Sequence, residues 1–138
     1  MDPNALRAEL ARYFRETPVG LVCAYLFGSY ARGEPRRDSD IDVAVLFPPD
    51  SHGTTVRRRT LEGPLTAVRG DLERLLRRSV DVVDMRDAPV DLIHRILRDG
   101  QLLEERDSGE RVRFEVDKRN EYFDLLPHLE RYRRGRAA

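Results

Sequence analysis

Gly28-Ser29-Tyr30-Ala31-Arg32-Gly33, five residues, then Ser39-Asp40-Ile41-Asp42-Val43-Ala44-Val45 is the stretch that decides the fold. A nearly continuous apolar run, Leu21 to Phe27, leads into it between Gly20 and Gly28; its length and bounds predict a strand buried on both faces. Gly28 to Asp38 reads as a turn, a short helix and a polar loop, and Ile41 to Phe47 as a second strand ended by Pro48-Pro49. With no Cβ, Gly28 lets backbone approach a ligand closely. Ser29 adds a hydroxyl at the start of the predicted helix, where free N–H groups and the helix dipole favour an anion. The corner is suited to phosphate.

Asp40 and Asp42 stand at i and i+2 where the second strand begins, so both carboxylates face one way, roughly 6.5–7 Å apart along the chain. Two carboxylates on one face repel each other, and a cation resolves the repulsion. A pair of Mg²⁺ ions about 3.5–4 Å apart could activate an attacking oxygen and stabilise a leaving one. Such a site benefits from a third acid, and Val80-Asp81-Val82-Val83-Asp84 offers two. Asp81 is preferred as the third carboxylate holding the metal ions, with Asp40 and Asp42, because apolar residues flank it inside a predicted strand, where an acid is expensive to bury unless it is used. Asp84, at the strand end, suits a turn cap. Arg32 is placed to contact a phosphate or the carboxylates, with a salt bridge that pins the loop as the alternative. Arg36 and Arg37 read as a solvated charge run and Ser39 as a turn residue.

Outward from this centre, Asp2-Pro3 opens a first helix carrying Leu6, Leu10, Tyr13 and Phe14 at helical spacing. Thr54 to Arg78 has helical character, divided by Gly63-Pro64, with Leu61, Leu65, Val68, Leu72, Leu75 and Leu76 on one side. Val80 to Val83 is a third strand. Pro89 opens a helix that runs through Arg98 and is closed by Gly100. Gln101 to Glu105 is a short extended piece. Glu110 to about Arg134 is a final helix, its apolar positions including Val112, Val116, Phe123, Leu126, Leu129 and Tyr132, with a kink or break expected at Pro127. This order predicts an α/β (α+β) chain, a small mixed sheet flanked by helices, and a single domain over residues 1–138 with a C-terminal helical segment from about residue 108.

Composition narrows the field. The 138 residues are 36% charged yet sum to zero net charge, so no overall field draws the chain to nucleic acid or a membrane surface. Nearly all the cations are arginine, Lys118 being the one lysine; codon bias explains this more simply than function does. Cys23 is the sole cysteine and reads as a small core residue, which excludes a disulfide framework and fits a cytoplasmic setting. Neither a signal peptide nor a run of ~20 apolar residues is visible. His52, His94 and His128 lack metal-ligand spacing and read as structural or surface residues. Tyr122, Phe123 and Tyr132 are expected to pack the last helix onto the domain, a partner-binding face being the other reading.

Gly28-Ser29, ten residues, Asp40-x-Asp42 resembles the signature of the polymerase-β nucleotidyltransferase superfamily. Within it, "GSYARGEPRRDSDIDVAV", "VDVVDMRDAP", "ILRDGQLLEERD" and "RFEVDKRNEYFDLLPHLERY" resemble the minimal nucleotidyltransferase antitoxins of HEPN/MNT toxin–antitoxin pairs. The resemblance implies a polymerase-β-like core in which the Gly28-Ser29 turn holds the ATP triphosphate. It implies that Asp40 and Asp42 bind both Mg²⁺ ions, and that Asp81 is the third acid and helps activate the acceptor hydroxyl. It further implies transfer of AMP to a tyrosine of a partner HEPN RNase toxin, which is thereby silenced. Two other functions stay open: AMP transfer to a small molecule of the aminoglycoside type, for which the chain leaves little room, and neutralisation by binding alone, against which the intact Gly28, Ser29, Asp40 and Asp42 argue.

Overall fold

A computed structural model describes residues 2–35, 39–49 and 63–137, the last three by backbone only. The expectations for Arg36, Arg37, His52, Leu61 and the first part of the Thr54–Arg78 segment lie outside these residues.

Among the described residues the chain runs α1 (Pro3–Glu16), β1 (Cys23–Phe27), β2 (Ile41–Leu46), α2 (Pro64–Leu76), β3 (Val80–Asp84), α3 (Val90–Asp99), β4 (Gln101–Glu105) and α4 (Ser108–Ala137). Asp2 caps α1 as expected, its Oδ2 accepting from the Ala5 N–H at 3.1 Å, with Pro3 at the start of the helix. The strands form one mixed sheet in the order β3-β2-β1-β4. β1 is antiparallel to both β2 and β4, and β2 is parallel to β3. The short extended piece at Gln101–Glu105 is thus a full edge strand.

Strand alternation sends side chains to two cores, one on each face. Ala24, Leu26, Ile41, Val43, Val45 and Val80 meet Leu6, Leu10 and Phe14 of α1 and Val68 and Leu72 of α2. Cys23, Tyr25, Ala44 and Leu46 meet Ile93 and Ile96 of α3 and Phe114 of α4. Helices therefore cover both faces, which is why β1 and most of β2 read as unbroken apolar runs. Asp42, one residue out of phase with Ile41 and Val43, faces the α3 side.

At α4 the break offered as one outcome at Pro127 is absent, and the expected apolar stripe is corrected. The helix continues through Pro127 as a single element of 30 residues. Phe123, four residues earlier and the residue whose carbonyl loses its N–H partner, is 62% exposed. The expected apolar stripe is also not the buried one: Val112, Val116, Phe123 and Tyr132 are exposed, and Phe114 is the residue that enters the core. Polar contacts anchor this end of the helix. The Tyr25 hydroxyl donates to Glu115, and Arg111 bridges Glu105 of β4 and Glu115. Tyr122 does pack inward, its ring stacked on His94 of α3 at 3.7 Å between centroids.

Candidate active site

Asp42 sits on β2 with Phe27 of β1 opposite it on one side and Asp81 of β3 opposite it on the other. Like charges directly across neighbouring strands are destabilising. The effect is visible on Asp42, whose carboxyl is pushed up from 3.8 to about 6 by burial first, then by Asp81 and Asp40, with Arg32 opposing. Asp40 is exposed immediately before β2, and Asp81 is exposed on the edge strand β3. The structure thus brings Asp40, Asp42, Asp81 and Arg32 into one electrostatic neighbourhood.

The reason given for preferring Asp81 is corrected. Asp84 is the buried acid, at 6% exposure, and its Oδ1 accepts from the Arg86 N–H at 3.0 Å in the turn that ends β3. Asp81 is instead distinguished by register, being the residue paired with Asp42.

Gly28 closes the other side of Asp42. Its φ is +75°, and a Cβ placed there would lie 2.2 Å from Asp42 Oδ2. Only glycine lets the backbone pass the carboxylate this closely in that conformation. Ser29 to Gly33 form a hydrogen-bonded turn and not the short helix expected. The Gly28 carbonyl accepts from the Ala31 and Arg32 N–H groups, both at 3.2 Å, and Gly33 ends the turn with φ +72°. With one turn in place of a helix, any anion affinity rests on local N–H groups and Arg32 more than on a helix dipole.

Two residues that the sequence reading did not select hold this turn. Arg78 donates to the Tyr30 hydroxyl and, at 2.9 Å, to the Ser39 carbonyl, so it spans both ends of the segment between Ser29 and Asp40. Gln101 Nε2 donates to the Ala31 carbonyl at 2.8 Å from the start of β4. Neither carries a motif; each is found only once the sheet has brought β3 and β4 alongside the turn.

A cavity of about 420 Å³ opens over Asp42, lined by Phe27, Gly28, Arg32, Leu92, Arg95 and Arg98 together with Asp99. It joins an acidic corner to a basic wall on α3. Among the described residues no group of three or more His, Cys, Asp or Glu side chains is arranged to hold a metal ion by protein atoms alone. Mg²⁺ usually takes only one or two carboxylates and leaves its other positions to phosphates and water. The all-oxygen donor set, crowded enough to raise Asp42, fits Mg²⁺ and not a caged soft metal.

A parallel-paired acid strand beside a glycine turn, on a mixed sheet with helices on both faces, defines a nucleotidyltransferase core. The chain belongs to the family described as Polymerase beta, Nucleotidyltransferase, which matches residues 8–109. It is 32% identical over 95 residues to the protein adenylyltransferase MntA of Shewanella oneidensis; the match takes in 69% of this chain and 62% of that relative's length. A crystal structure of a toxin–antitoxin with AMP-PNP is similar at 28% identity and a TM-score of 0.69, covering 100% of both chains. The crystal structure of the toxin–antitoxin MntA-HepT is similar at 25% identity and a TM-score of 0.63, covering 99% of this chain and 97% of that one.

Proposed function

We propose that the chain is a Mg²⁺-dependent protein adenylyltransferase that moves AMP from ATP to a tyrosine hydroxyl of a partner HEPN-domain RNase toxin and so silences it in the cytoplasm. The observation that carries the reading is the crowding of Asp42 between Gly28 and Asp81, with Asp40 beside it. Such a site is unfavourable when empty and favourable when cations and phosphates fill it. The similarity to MntA and to the AMP-PNP complex supports the nucleotide and the acceptor class.

In this reading Asp40 and Asp42, with Asp81 as the third acid, would hold two Mg²⁺ ions, which would supply charge neutralisation at the triphosphate. The Gly28-Ser29 turn and Arg32 bind phosphate oxygens. The acceptor oxygen attacks the α-phosphorus, the bond from that phosphorus to the bridging oxygen of the β-phosphate breaks, and pyrophosphate leaves. Asp81, exposed on the edge strand, takes the hydroxyl proton as the new P–O bond forms.

Mass spectrometry of the chain incubated with ATP, Mg²⁺ and its cognate HEPN toxin tests the proposal. AMP-sized increments on the toxin, lost in Asp40→Asn/Asp42→Asn, are the expected result. A tight complex without increments would mean neutralisation by binding, and neither result would point to a small-molecule acceptor. Asp81→Asn should reduce transfer far more than Asp84→Asn; the reverse order would mean that the turn acid is the third acid.

A further inference from the structure

The cavity over Asp42 is bounded on its far side by Arg95 and Arg98. The same two arginines line a second cavity of about 440 Å³, completed by Asp91, His94, Tyr122 and Arg133. The two spaces adjoin along α3. In the first, Arg32, Arg95 and Arg98 face Asp42 and Asp99, with Asp40 and Asp81 neighbouring Asp42; in the second, three arginines face one aspartate, Asp91, so the acids gather at the Asp42 end and the basic excess grows away from it. Arg98 is in part occupied by Asp99, with Nη2 to Oδ2 at 2.9 Å. Arg95 is exposed and lies on the wall common to both cavities.

An acid corner that calls for cations, continued by a basic wall, matches a ligand that carries its metal-binding oxygens at one end and further anionic oxygens beyond them. A nucleotide polyphosphate has that form, and guanidinium groups bind its oxygens through paired N–H donors. We propose that α3 supplies a polyphosphate-binding wall for this site. In it Arg95 contacts the terminal phosphates of the bound nucleotide from across the cavity, and Arg133 extends the same basic surface along α4. The assignment rests on the nucleotidyltransferase reading above and adds to it residues outside the Gly28–Asp42 signature. An acidic face of a protein partner is the competing occupant of the same arginines.

Calorimetric titration of the whole chain in Mg²⁺ buffer separates these, using AMP-PNP, AMP and inorganic pyrophosphate on wild type, Arg95→Ala and Arg133→Ala. Arg95→Ala should weaken AMP-PNP and pyrophosphate roughly tenfold while changing AMP less than about twofold, since only the first two reach the wall. Arg95→Lys should recover part of the loss, and Arg133→Ala should show a smaller loss on the same two ligands. Unchanged AMP-PNP affinity in Arg95→Ala, or an equal loss for AMP, overturns the assignment. If those same variants lose affinity for the toxin alone, the wall belongs to the protein partner. Failure of wild type to bind any nucleotide would sink both readings, whereas normal binding without transfer would count against the proposed function only.

Discussion

At the scale of single residues, Asp42 is an acid whose charge works against the fold. Its carboxyl titrates near 6, above the ordinary 3.8, because burial and two neighbouring acids disfavour its charge. A raised acid favours the folded state only while it is protonated. That contribution is complete below about 3.8 and is lost as the pH rises through about 6. In EDTA, Asp42→Asn should therefore melt higher than wild type at neutral pH. The gap should grow from about pH 4 to about pH 7, then level off, and Mg²⁺ with AMP-PNP should narrow it. Thermal unfolding across that range checks this; a gap independent of pH would show that charge is not its cause. Arg78 is the second instructive residue, a positioning group whose hydrogen bonds go to the Tyr30 hydroxyl and the Ser39 carbonyl. Arg78→Met should release the Ser39 carbonyl and the Tyr30 hydroxyl together. The expected result is a loss of about tenfold or more in turnover, with a higher Mg²⁺ requirement and near-normal circular dichroism. A fall in stability with an unshifted Mg²⁺ requirement would reduce Arg78 to a structural role.

At the scale of elements, α2 ends on a feature that invites a stabilising change. Arg77 closes the helix with φ 53° and ψ 40°, a left-handed conformation that glycine adopts without strain. Arg77→Gly should stabilise the protein by about 0.5–1 kcal/mol, read from the midpoint of urea unfolding; a loss would mean that the arginine side chain outweighs the strain. The helices and strands here were largely legible because their signals are local. Asp2-Pro3, Gly100 and the apolar run before Gly28 each act within a few residues of the end they mark. The closeness of Asp40 and Asp42 was legible for the same reason, since they stand two residues apart, Asp40 immediately before β2 and Asp42 within it. Legibility failed where tertiary contact decides. Whether Asp81 or Asp84 is buried depends on which edge β3 occupies, and the strand's own sequence does not encode that. The face of α4 that packs depends on Tyr25 and His94, both distant in the chain, as well as on nearby Glu105. Arg78, Arg95 and Gln101 carry no motif, and only the assembled fold gives them neighbours in the site.

At the scale of the whole molecule, the arginine content gains a physical use whatever its genetic origin. With Lys118 as the one lysine among 25 basic side chains, the fold ties its distant ends together through guanidinium groups. Arg86, after β3, donates to the Phe47 carbonyl at 2.8 Å and to Glu110 at 3.2 Å, joining the end of β2 to α4. Arg106, after β4, donates to the carbonyls of Phe14, Thr17 and Val19 at 2.7–2.9 Å. That places a cation at the C-terminal end of α1, where unpaired carbonyls and the negative pole of the helix both favour it. Lysine could bring the charge but not the planar fork that reaches three acceptors at once. Arg106→Lys should therefore lower stability by about 1–2 kcal/mol, whereas Arg12→Lys, on the exposed face of α1, should stay within about 0.5 kcal/mol. Chemical denaturation of the two variants gives the answer. Equal effects would mean that charge alone secures α1 to the sheet; a selective loss at Arg106 would show that its geometry holds that helix to the edge strand, on the sheet face opposite the candidate site.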